Sequence, residues 1–272
     1  MLKAGAAALA WMCSPVFAAQ PVVALGAAAS SPADKQVAAL RIGMDYVVPA
    51  FVAGSKVRTP EEVDTALAEQ LAARLDASPE MLDARGGGGP QLLNQGKADV
   101  VLAAVADIAA GQPGAVLVPT GYSVSPMAIM RSDTDIKIWA HLKGRTVCLS
   151  EGSRYVGTMS ARYAAVEKIF KAPADSLLAL RTGGCDAAVH DSGMLNELLK
   201  LPEWKKFSAR LPSGNRVPLT FSVAADDETT IRQLKQITKK WAATHYFEQL
   251  AKARARDIAF EVYLDQNIPD CH

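Results

Sequence analysis

The sequence predicts an α/β protein built from two similar lobes. Apolar, β-branched runs of strand length alternate with segments in which apolar residues recur every three or four positions, which is typical of alternating strands and helices. The order strand, helix, short helix with a glycine turn, strand occurs twice, at 40–105 and at 145–191. This repetition predicts two lobes with parallel sheets rather than a single barrel.

The first repeat contains four elements. LRIGMDYVV at 40–48 has the composition of a buried parallel strand. TPEE at 59–62 predicts a helix start, with the threonine as N-cap and the proline as first helical residue. Apolar residues at helical spacing then predict one buried helix face, at Val63, Leu67, Leu71 and Leu75. The glycines at 86–89 predict a loop, residues 90–97 a short helix and residues 98–105 a buried strand.

The second repeat follows a passage at 111–126 that is rich in proline and glycine. Further strands are predicted at 126–131, 145–150, 185–191 and 218–226. Helices are predicted at about 156–170, at 174–184 and in a long amphipathic C-terminal segment with Ile231, Leu234, Ile237 and Trp241 on one face.

Composition limits the class of protein. The chain has 272 residues, half of them apolar, which is enough for one large or two modest domains with ordered cores. Lysine and arginine number 29 and aspartate and glutamate 28, so the chain is nearly neutral. Proteins that bind nucleic acid usually carry a basic surface. We therefore expect no nucleic acid among the partners.

The N-terminus has the three parts of a secretory signal peptide. A lysine gives a positive start, AGAAALAWMC forms an apolar core, and SPVFAA places small residues before a cleavage point. The signal peptide is predicted at 1–19, and AAASS at 27–31 allows cleavage as late as residue 29. Proline and glutamine interrupt the apolar run too early for a membrane anchor, and no later segment is long enough to span a bilayer. The mature protein is therefore expected to be soluble and exported.

Export also changes how the cysteines are interpreted. Cys148, Cys185 and Cys271 remain after the signal peptide. In an oxidising compartment two of the three are expected to pair, which leaves one over. The residues alone leave the pairing open.

Motifs of catalysis and metal binding fit poorly. His190, Asp191 and Ser192 contain the letters of a hydrolytic triad, but neighbours on a strand point to opposite faces. GSRYVG is not a nucleophile elbow, and the glycines at 86–89 lack the following Lys-Ser/Thr of a phosphate loop. The four histidines lack metal-ligand spacing. We expect no enzyme, no metal site and no cofactor.

Seven segments resemble one family in order and spacing. They are LRIGMD…PAF at 40–51, VDTALAEQLAARL at 63–75, LLNQGKADVVLAAV at 92–105, GYSVSPMAIM at 121–130, LKGRTVCLSEGSR at 142–154, LRTGGCDAAVHDSGML at 180–195 and SVAADDETTIRQLKQITKKW at 222–241. Together they resemble the family 3 extracellular solute-binding proteins, the periplasmic proteins of polar amino-acid uptake. The resemblance covers nearly all of the mature chain.

The resemblance implies a periplasmic-binding-protein fold of type 2. This is a clamp of two lobes, each a mostly parallel sheet flanked by helices, joined by two hinge crossings. The first lobe would hold residues 37–123 plus 219–272, and the second residues 124–218. The ligand would lie between the lobes, at the carboxyl ends of parallel strands, and the lobes would close over it.

Four candidate ligand residues also come from the resemblance. Asp45 falls at an acidic position of the cleft, although an aspartate after a strand is equally often a turn or cap residue. Ser153 matches a hydroxyl of the family's ligand-binding turn, and Arg154 takes the next contacting position, where an exposed surface arginine is the alternative. Asp191 matches the acidic residue that takes a ligand ammonium.

Phe51 and Tyr122 complete the candidates, and several departures set the site apart from the family. Phe51 would wall the cleft, unless it fills core, and Tyr122 would lie on the rim with Glu151.

Val48 stands where the family places an aromatic, and AAVA at 103–106 replaces hydroxyl side chains. No arginine lies between positions 85 and 131, so the guanidinium that clamps a ligand carboxylate is missing. The first-lobe half of an amino-acid site is therefore expected to be lost, which leaves Arg154 as the candidate for anion recognition.

The resemblance also favours one disulfide. Some members carry a cysteine at each of the places taken here by Cys148 and Cys185, on neighbouring strands of the second lobe. Strands about 4.8 Å apart allow such a bridge. We predict a Cys148–Cys185 disulfide.

Three functions remain open. The first is a monomeric solute-binding protein that captures a small polar or amino-acid-like ligand and delivers it to the membrane permease of an ABC transporter. The second is a periplasmic accessory or sensor on the same scaffold, which binds a protein partner, as some relatives do beside quinoprotein dehydrogenases. A lytic or dehydratase enzyme would need a cleft carboxylate such as Asp45 or Asp191, and nothing in the sequence selects it.

Overall fold

The computed structural model describes residues 38–266, and the predicted signal peptide at 1–19 lies outside them. Within these residues the strands are β1 (Ala39–Met44), β2 (Ser78–Asp83), β3 (Val100–Ala104), β4 (Ala115–Val124), β5 (Pro126–Met130), β6 (Thr146–Ser150), β7 (Val166–Phe170), β8 (Ala187–Asp191), β9 (Ala209–Arg210) and β10 (Val217–Ala224). The α-helices are α1 (Asp64–Arg74), α2 (Gly89–Asn94), α3 (Thr158–Tyr163), α4 (Pro173–Arg181), α5 (Ser192–Leu198), α6 (Glu228–Ala243) and α7 (Tyr246–Asp265). Short 3₁₀ turns lie at Arg85–Gly87, Trp139–Leu142 and Pro202–Phe207.

The strands form two five-stranded sheets, which we call the first and the second lobe. The order is β2-β1-β3-β10-β4 in the first and β7-β6-β8-β5-β9 in the second. Four strands of each sheet run in one direction, and β10 or β5 runs against them. The chain passes from the first sheet to the second between β4 and β5, and returns between β9 and β10. The predicted two-lobed α/β fold is therefore confirmed.

Each lobe has its own core. In the first lobe, α1 buries Leu67 and Leu71 completely against β1, β3 and β10, as the predicted apolar face requires. In the second lobe, α4 and α5 cover one face of the sheet and the α3 region covers the other. The predicted disulfide is confirmed there: Cys148 on β6 is bonded to Cys185, just before β8, with the two Cα atoms 5.9 Å apart.

The helix predicted at about 156–170 is wrong for its second half. Helix α3 ends at Tyr163, and Ala164 takes a left-handed conformation with φ 51°. The following residues form β7, an exposed edge strand that pairs with β6 in parallel register. Strand pairing with the sheet, a contact remote in sequence, overrides the local helical pattern.

The helix start predicted at TPEE is also wrong. Helix α1 begins at Asp64, and the backbone N–H and hydroxyl of Thr59 donate instead to a carboxylate oxygen of Glu261, at 2.9 and 2.7 Å. Glu61 and Glu62 are buried rather than placed in a solvated first turn. Tertiary partners therefore replace the capping interactions that the local sequence favours.

Helix α7 belongs to both cores. Its first turns pack against the first lobe through Tyr246, Phe247 and Leu250. Its later turns bury Ala255, Ile258, Ala259 and Val262 among the helices of the second lobe. The boundary of the first lobe at 219–272 stays a prediction, but the last described part of that range packs on the second lobe. Within residues 38–266, no helix has both the length and the apolar character that crossing a bilayer requires.

Candidate functional site

The space between the lobes is crossed by one segment of the first lobe, residues 58–64, which we call the interlobe strap. Three residues of α7 hold it: Arg254 donates to the carbonyls of Pro60 and Glu61, Glu261 accepts from Thr59, and Asp265 pairs with Arg58. Arg58 also contacts Asp175 of the second lobe at 2.9 Å. The strap is therefore bonded to helix α7 on one side and to the second lobe on the other.

Arg154 is the main cationic contact between the strap and the second lobe. Its guanidinium pairs with Glu62 and with Asp64, and its backbone N–H donates to Glu62 at 3.2 Å. Asp45 lies 3.8 Å from its Nε atom. Only 11% of the Arg154 side chain is exposed, so this charge is already neutralised inside the protein. These contacts therefore do not support the prediction that Arg154 is available to bind a ligand anion.

A glycine turn brings Arg154 to this position. Gly152, at φ 79°, lies directly under the ring of Tyr46, and a Cβ added there would clash with that ring. Only glycine accepts both the left-handed backbone and the close approach. Ser153 is buried, and its hydroxyl accepts from the backbone N–H of Tyr155 at 3.3 Å.

The carboxylates around Arg154 outnumber its single positive charge. Burial, together with Asp64 and Glu61, raises the pKa of Glu62 to about 8 against the opposing pull of Arg154. Burial likewise raises the pKa of Asp45, although Arg154 opposes it. Glu62 therefore keeps its proton near neutral pH. The guanidinium of Arg154 then faces fewer negatively charged carboxylates.

Glu61 points to the other side of the strap. Its Oε2 atom accepts from the Ser150 hydroxyl and lies 2.7 Å from Nδ1 of His190. On the far side of the imidazole, Nε2 lies 2.7 Å from the hydroxyl of Ser176 on α4. Burial acts to raise the pKa of Glu61, but the charge of His190 and the two hydrogen bonds outweigh it and hold the pKa below its usual value.

Ser176, His190 and Glu61 thus have the connectivity of a hydrolytic triad, which no local sequence pattern indicates. Ser176 and His190 have no exposed surface. A nucleophile must reach the reacting carbon, and this hydroxyl is enclosed by the second-lobe core. In this arrangement the chain of hydrogen bonds joins the strap to the second lobe.

Asp191 ends β8, and both oxygens of its carboxylate accept hydrogen bonds. It accepts from the Tyr122 hydroxyl at 2.5 Å and from the backbone N–H groups of Ser125 and Gly193 at 3.1 and 2.9 Å. Tyr155 adds a hydroxyl at 3.3 Å. Burial raises the pKa of Asp191 in spite of these hydrogen bonds. The contact with Tyr122 also joins the two lobes.

The deep part of the cleft has almost no free volume. Glu61, Glu62, Tyr122, Asp191 and Arg254 surround a cavity of about 10 Å³. That volume holds about one water molecule. An amino acid does not fit there in this conformation.

A larger space lies next to the strap, and we call it the loop pocket. It measures about 610 Å³, is open to solvent, and is lined by the loop at 46–60 on the first lobe and by Glu151, Lys171, Ala172 and Asp175 on the second. Phe51 lines it, with 66% of the residue exposed. The candidates from the sequence are therefore divided: Phe51 lies at the loop pocket, and Asp45, Arg154, Tyr122 and Asp191 belong to the deep cluster.

Sequence reasoning missed four residues that build the deep cluster: Glu61, Glu62, Asp64 and His190. Glu61 and Glu62 lie in the predicted helix start, Asp64 in the predicted helix that follows, and His190 in the strand predicted at 185–191. Their contacts across the lobes join residues 89 to 129 positions apart in the chain, which no local pattern reveals. Within residues 38–266, no group of three or more histidine, cysteine or acidic side chains has metal-binding geometry.

Comparison with known proteins shows the fold. No protein-family model matches the sequence, and no curated protein matches it. A mutant of ArgBP from T. maritima shares 19% identity over 79% of this chain and 94% of that one, with a TM-score of 0.51. An ancestral cationic amino acid solute binding protein has the same identity and coverage and a TM-score of 0.53.

A third solved structure supports the same conclusion. An ancestral arginine-binding protein bound to arginine shares 19% identity over 79% of this chain and 97% of that one, with a TM-score of 0.50. At this identity the likeness concerns the fold alone. The chain therefore has the two-lobed fold of amino-acid-binding proteins, as its sequence resemblance predicts.

Proposed function

We propose that the protein is an exported solute-binding protein. It captures a small polar or amino-acid-like ligand between its lobes and delivers it, as a monomer in the periplasm, to the membrane permease of an ABC transporter. The observation that carries the proposal is the 610 Å³ pocket between the lobes, which adjoins the carboxyl ends of the parallel strands β6 and β7. Open α/β sheets bind ligands at such strand ends, and pockets of this size take small molecules.

This role requires binding and release of a ligand but no catalytic step. A ligand that contacts both lobes stabilises the arrangement in which they are close together. A permease can then distinguish loaded from empty protein by the relation of the lobes. The strap supplies contacts between the lobes that such a ligand would reinforce.

The ligand is not held by the deep cluster as a standard α-amino acid would be. Arg154 pairs with three carboxylates of its own chain, and Asp191 accepts hydrogen bonds from Tyr122 and two backbone groups. Removing one partner from a buried ion pair strongly destabilises a protein. A ligand carboxylate that bound Arg154 would have to displace these internal contacts, at a high cost in free energy. Recognition therefore falls to residues nearer the surface.

A ligand screen tests the proposal. Isothermal titration calorimetry of the purified mature protein against amino acids, amines, carboxylates and short peptides should find a compound that binds one to one. Arg154→Ala should not selectively abolish that binding beyond its effect on stability. Absence of binding across the whole panel would refute solute capture.

One observation favours a second candidate function. The deep cleft is filled by the protein's own side chains, as expected if the scaffold serves as a periplasmic accessory or sensor that binds a protein partner. Neighbouring genes distinguish the two functions: a permease and an ATPase support transport, whereas a dehydrogenase or a kinase supports the accessory role. The ligand screen is then expected to be negative.

A further inference from the structure

We infer that a groove on the surface of the second lobe binds a small molecule with an aromatic body and a single carboxylate group. The groove lies between α7, the end of α4 and the 3₁₀ turn at Pro202–Phe207, and we call it the α7 groove. It shares no lining residue with the loop pocket or with the deep cavity. The inference therefore goes beyond the proposed function and concerns a separate site.

The size of the groove suits a small molecule. It measures about 390 Å³, which lies within the usual range of small-molecule sites. Trp204 and Val262 line it as buried side chains, whereas Phe260 and Tyr263 line it with 59% and 68% of each residue exposed. An aromatic molecule in the groove would cover apolar surface on these two exposed rings that now faces water.

Helix α7 has a second apolar stripe besides the one that packs on the second lobe. It consists of Phe260, Tyr263 and Leu264, which are neighbours on the helix surface because they lie three and four positions apart. All three are more than half exposed, and the packing of α7 on the two cores uses other residues. Contiguous exposed apolar side chains on a soluble protein commonly mark an interaction site.

The charges of the groove favour an anion. Arg256 is exposed, and in the part of the chain that the structure describes its guanidinium has no hydrogen bond or ion pair. Arg181 brings a second guanidinium, which lies 5.1 Å from the centre of the Trp204 ring. Among the described lining residues, Glu203 brings one negative charge against these two positive charges. This excess selects a carboxylate over an ammonium group, and Arg256 is the residue that would pair with it.

A buried donor at the groove lacks an acceptor. Only 1% of Trp204 is exposed, and its indole N–H has no hydrogen-bond partner within residues 38–266. Buried polar groups are nearly always hydrogen-bonded, so this donor calls for an acceptor that the described residues do not supply. A ligand carboxylate is an acceptor of the required kind.

The test uses three naphthalene probes that share one ring system and differ in the polar group. 2-Naphthoate carries a carboxylate, 2-naphthylmethanol is neutral and 2-naphthylmethylamine carries an ammonium group. Isothermal titration calorimetry of the mature protein should show the tightest binding for 2-naphthoate. We expect the neutral probe to bind at least about threefold more weakly, since an exposed charge contact contributes up to about fivefold, and the amine to bind more weakly still.

Matched variants show which residues bind the probe. For 2-naphthoate we expect Phe260→Ala and Tyr263→Ala each to weaken binding by about fivefold or more, and Arg256→Gln by about three- to fivefold. Ile138→Ala and Arg162→Gln change an exposed apolar residue and an exposed arginine outside the groove, and both should bind as wild type does. Because all five side chains are on the surface, thermal melting should show that every variant folds.

Trp204 gives a readout that responds to binding in the groove itself. In a proton–nitrogen correlation spectrum its indole N–H signal, assigned by its loss in Trp204→Phe, should shift as 2-naphthoate is added. The signals of Trp139 and Trp241 should stay in place, because neither residue lines the groove.

The outcomes separate this site from the loop pocket. Equal binding of the three probes, or equal binding of 2-naphthoate to wild type, Phe260→Ala and Arg256→Gln, would show that the inference is wrong. Light scattering that finds a dimeric wild type and a monomeric Phe260→Ala variant would assign the apolar stripe to a contact between two copies and would also overturn it. Neither result bears on the solute screen of the proposed function, so each proposal can fail while the other stands.

Discussion

The role that the sequence predicts for Arg154 differs from the contacts that the structure shows for it. The sequence predicts the glycine turn after β6 that carries Arg154, because such a turn is a local feature that a pattern can indicate. Its partners Glu62 and Asp64 lie 92 and 90 positions away, and no local pattern shows that they turn inward. The residue expected to bind an anion therefore joins the two lobes.

Replacing Arg154 should destabilise the protein strongly. Arg154→Met leaves Asp64 buried without its cation, and removing one partner of a buried ion pair costs about 3 to 5 kcal/mol of unfolding free energy. Arg216→Met, at an exposed arginine, should cost less than about 0.5 kcal/mol. Urea denaturation measures both, and equal stability of the two variants would contradict the assignment of Arg154.

Glu62 should make stability depend on pH. Its pKa is about 8 in the folded protein and 4.5 for an unperturbed glutamate, so the native state binds more protons than the unfolded chain between these limits. The stabilising contribution of this group is then fully present below pH 4.5 and lost as the pH rises towards 8, with a slope of up to about 1.4 kcal/mol per pH unit.

Glu62→Gln tests this dependence. The amide keeps the shape of the protonated acid and does not titrate, so the fall of unfolding free energy from about pH 5 to about pH 8 should become shallower than in wild type. Glu61, whose pKa is lowered, contributes in the opposite direction and only below its usual pKa, outside this range. An unchanged slope in the variant would show that Glu62 is not the titrating group.

The enclosed Ser176–His190–Glu61 chain also has a testable consequence. Because Ser176 has no exposed surface, a fluorophosphonate probe should not label it in the native protein. Mass spectrometry after incubation checks this. Specific labelling of Ser176, abolished by His190→Ala, would instead reveal a reactive serine.

At the scale of elements, the sequence predicts buried segments best. Strands β1, β3, β6, β8 and β10 have continuous apolar runs and fall where the patterns place them. Strands β2 and β7 lie at the edges of their sheets with exposed, polar residues, and β4 runs through a passage rich in proline and glycine. Pairing with a neighbour, rather than composition, makes these segments strands.

The disulfide ties together two elements of the second lobe. It closes a loop of 37 residues, which in the chain-entropy account stabilises the folded state by about 3 to 4 kcal/mol. The double variant Cys148→Ala/Cys185→Ala should lose about that much in urea denaturation, with unchanged far-UV circular dichroism. Equal unfolding midpoints for oxidised and reduced wild type would show that the bridge adds no stability.

At the scale of the whole molecule, the strap joins the two lobes of the clamp. Its contacts to Ser150, Arg154, Asp175 and His190 join the lobes without any ligand. The resemblance predicts two lobes and a cleft between them, because those depend on the order of elements. It does not predict that the protein's own acidic residues fill the cleft, because this depends on side chains of one segment.

Small-angle X-ray scattering of the ligand-free mature protein tests the role of the strap most directly. We expect the wild-type profile to match the structure with its lobes in contact, and the double variant Glu61→Gln/Arg154→Met to show a larger radius of gyration with each lobe still folded. A ligand-free wild type that already scatters as an open clamp, with the same radius of gyration as the double variant, would show that the strap does not hold the lobes together.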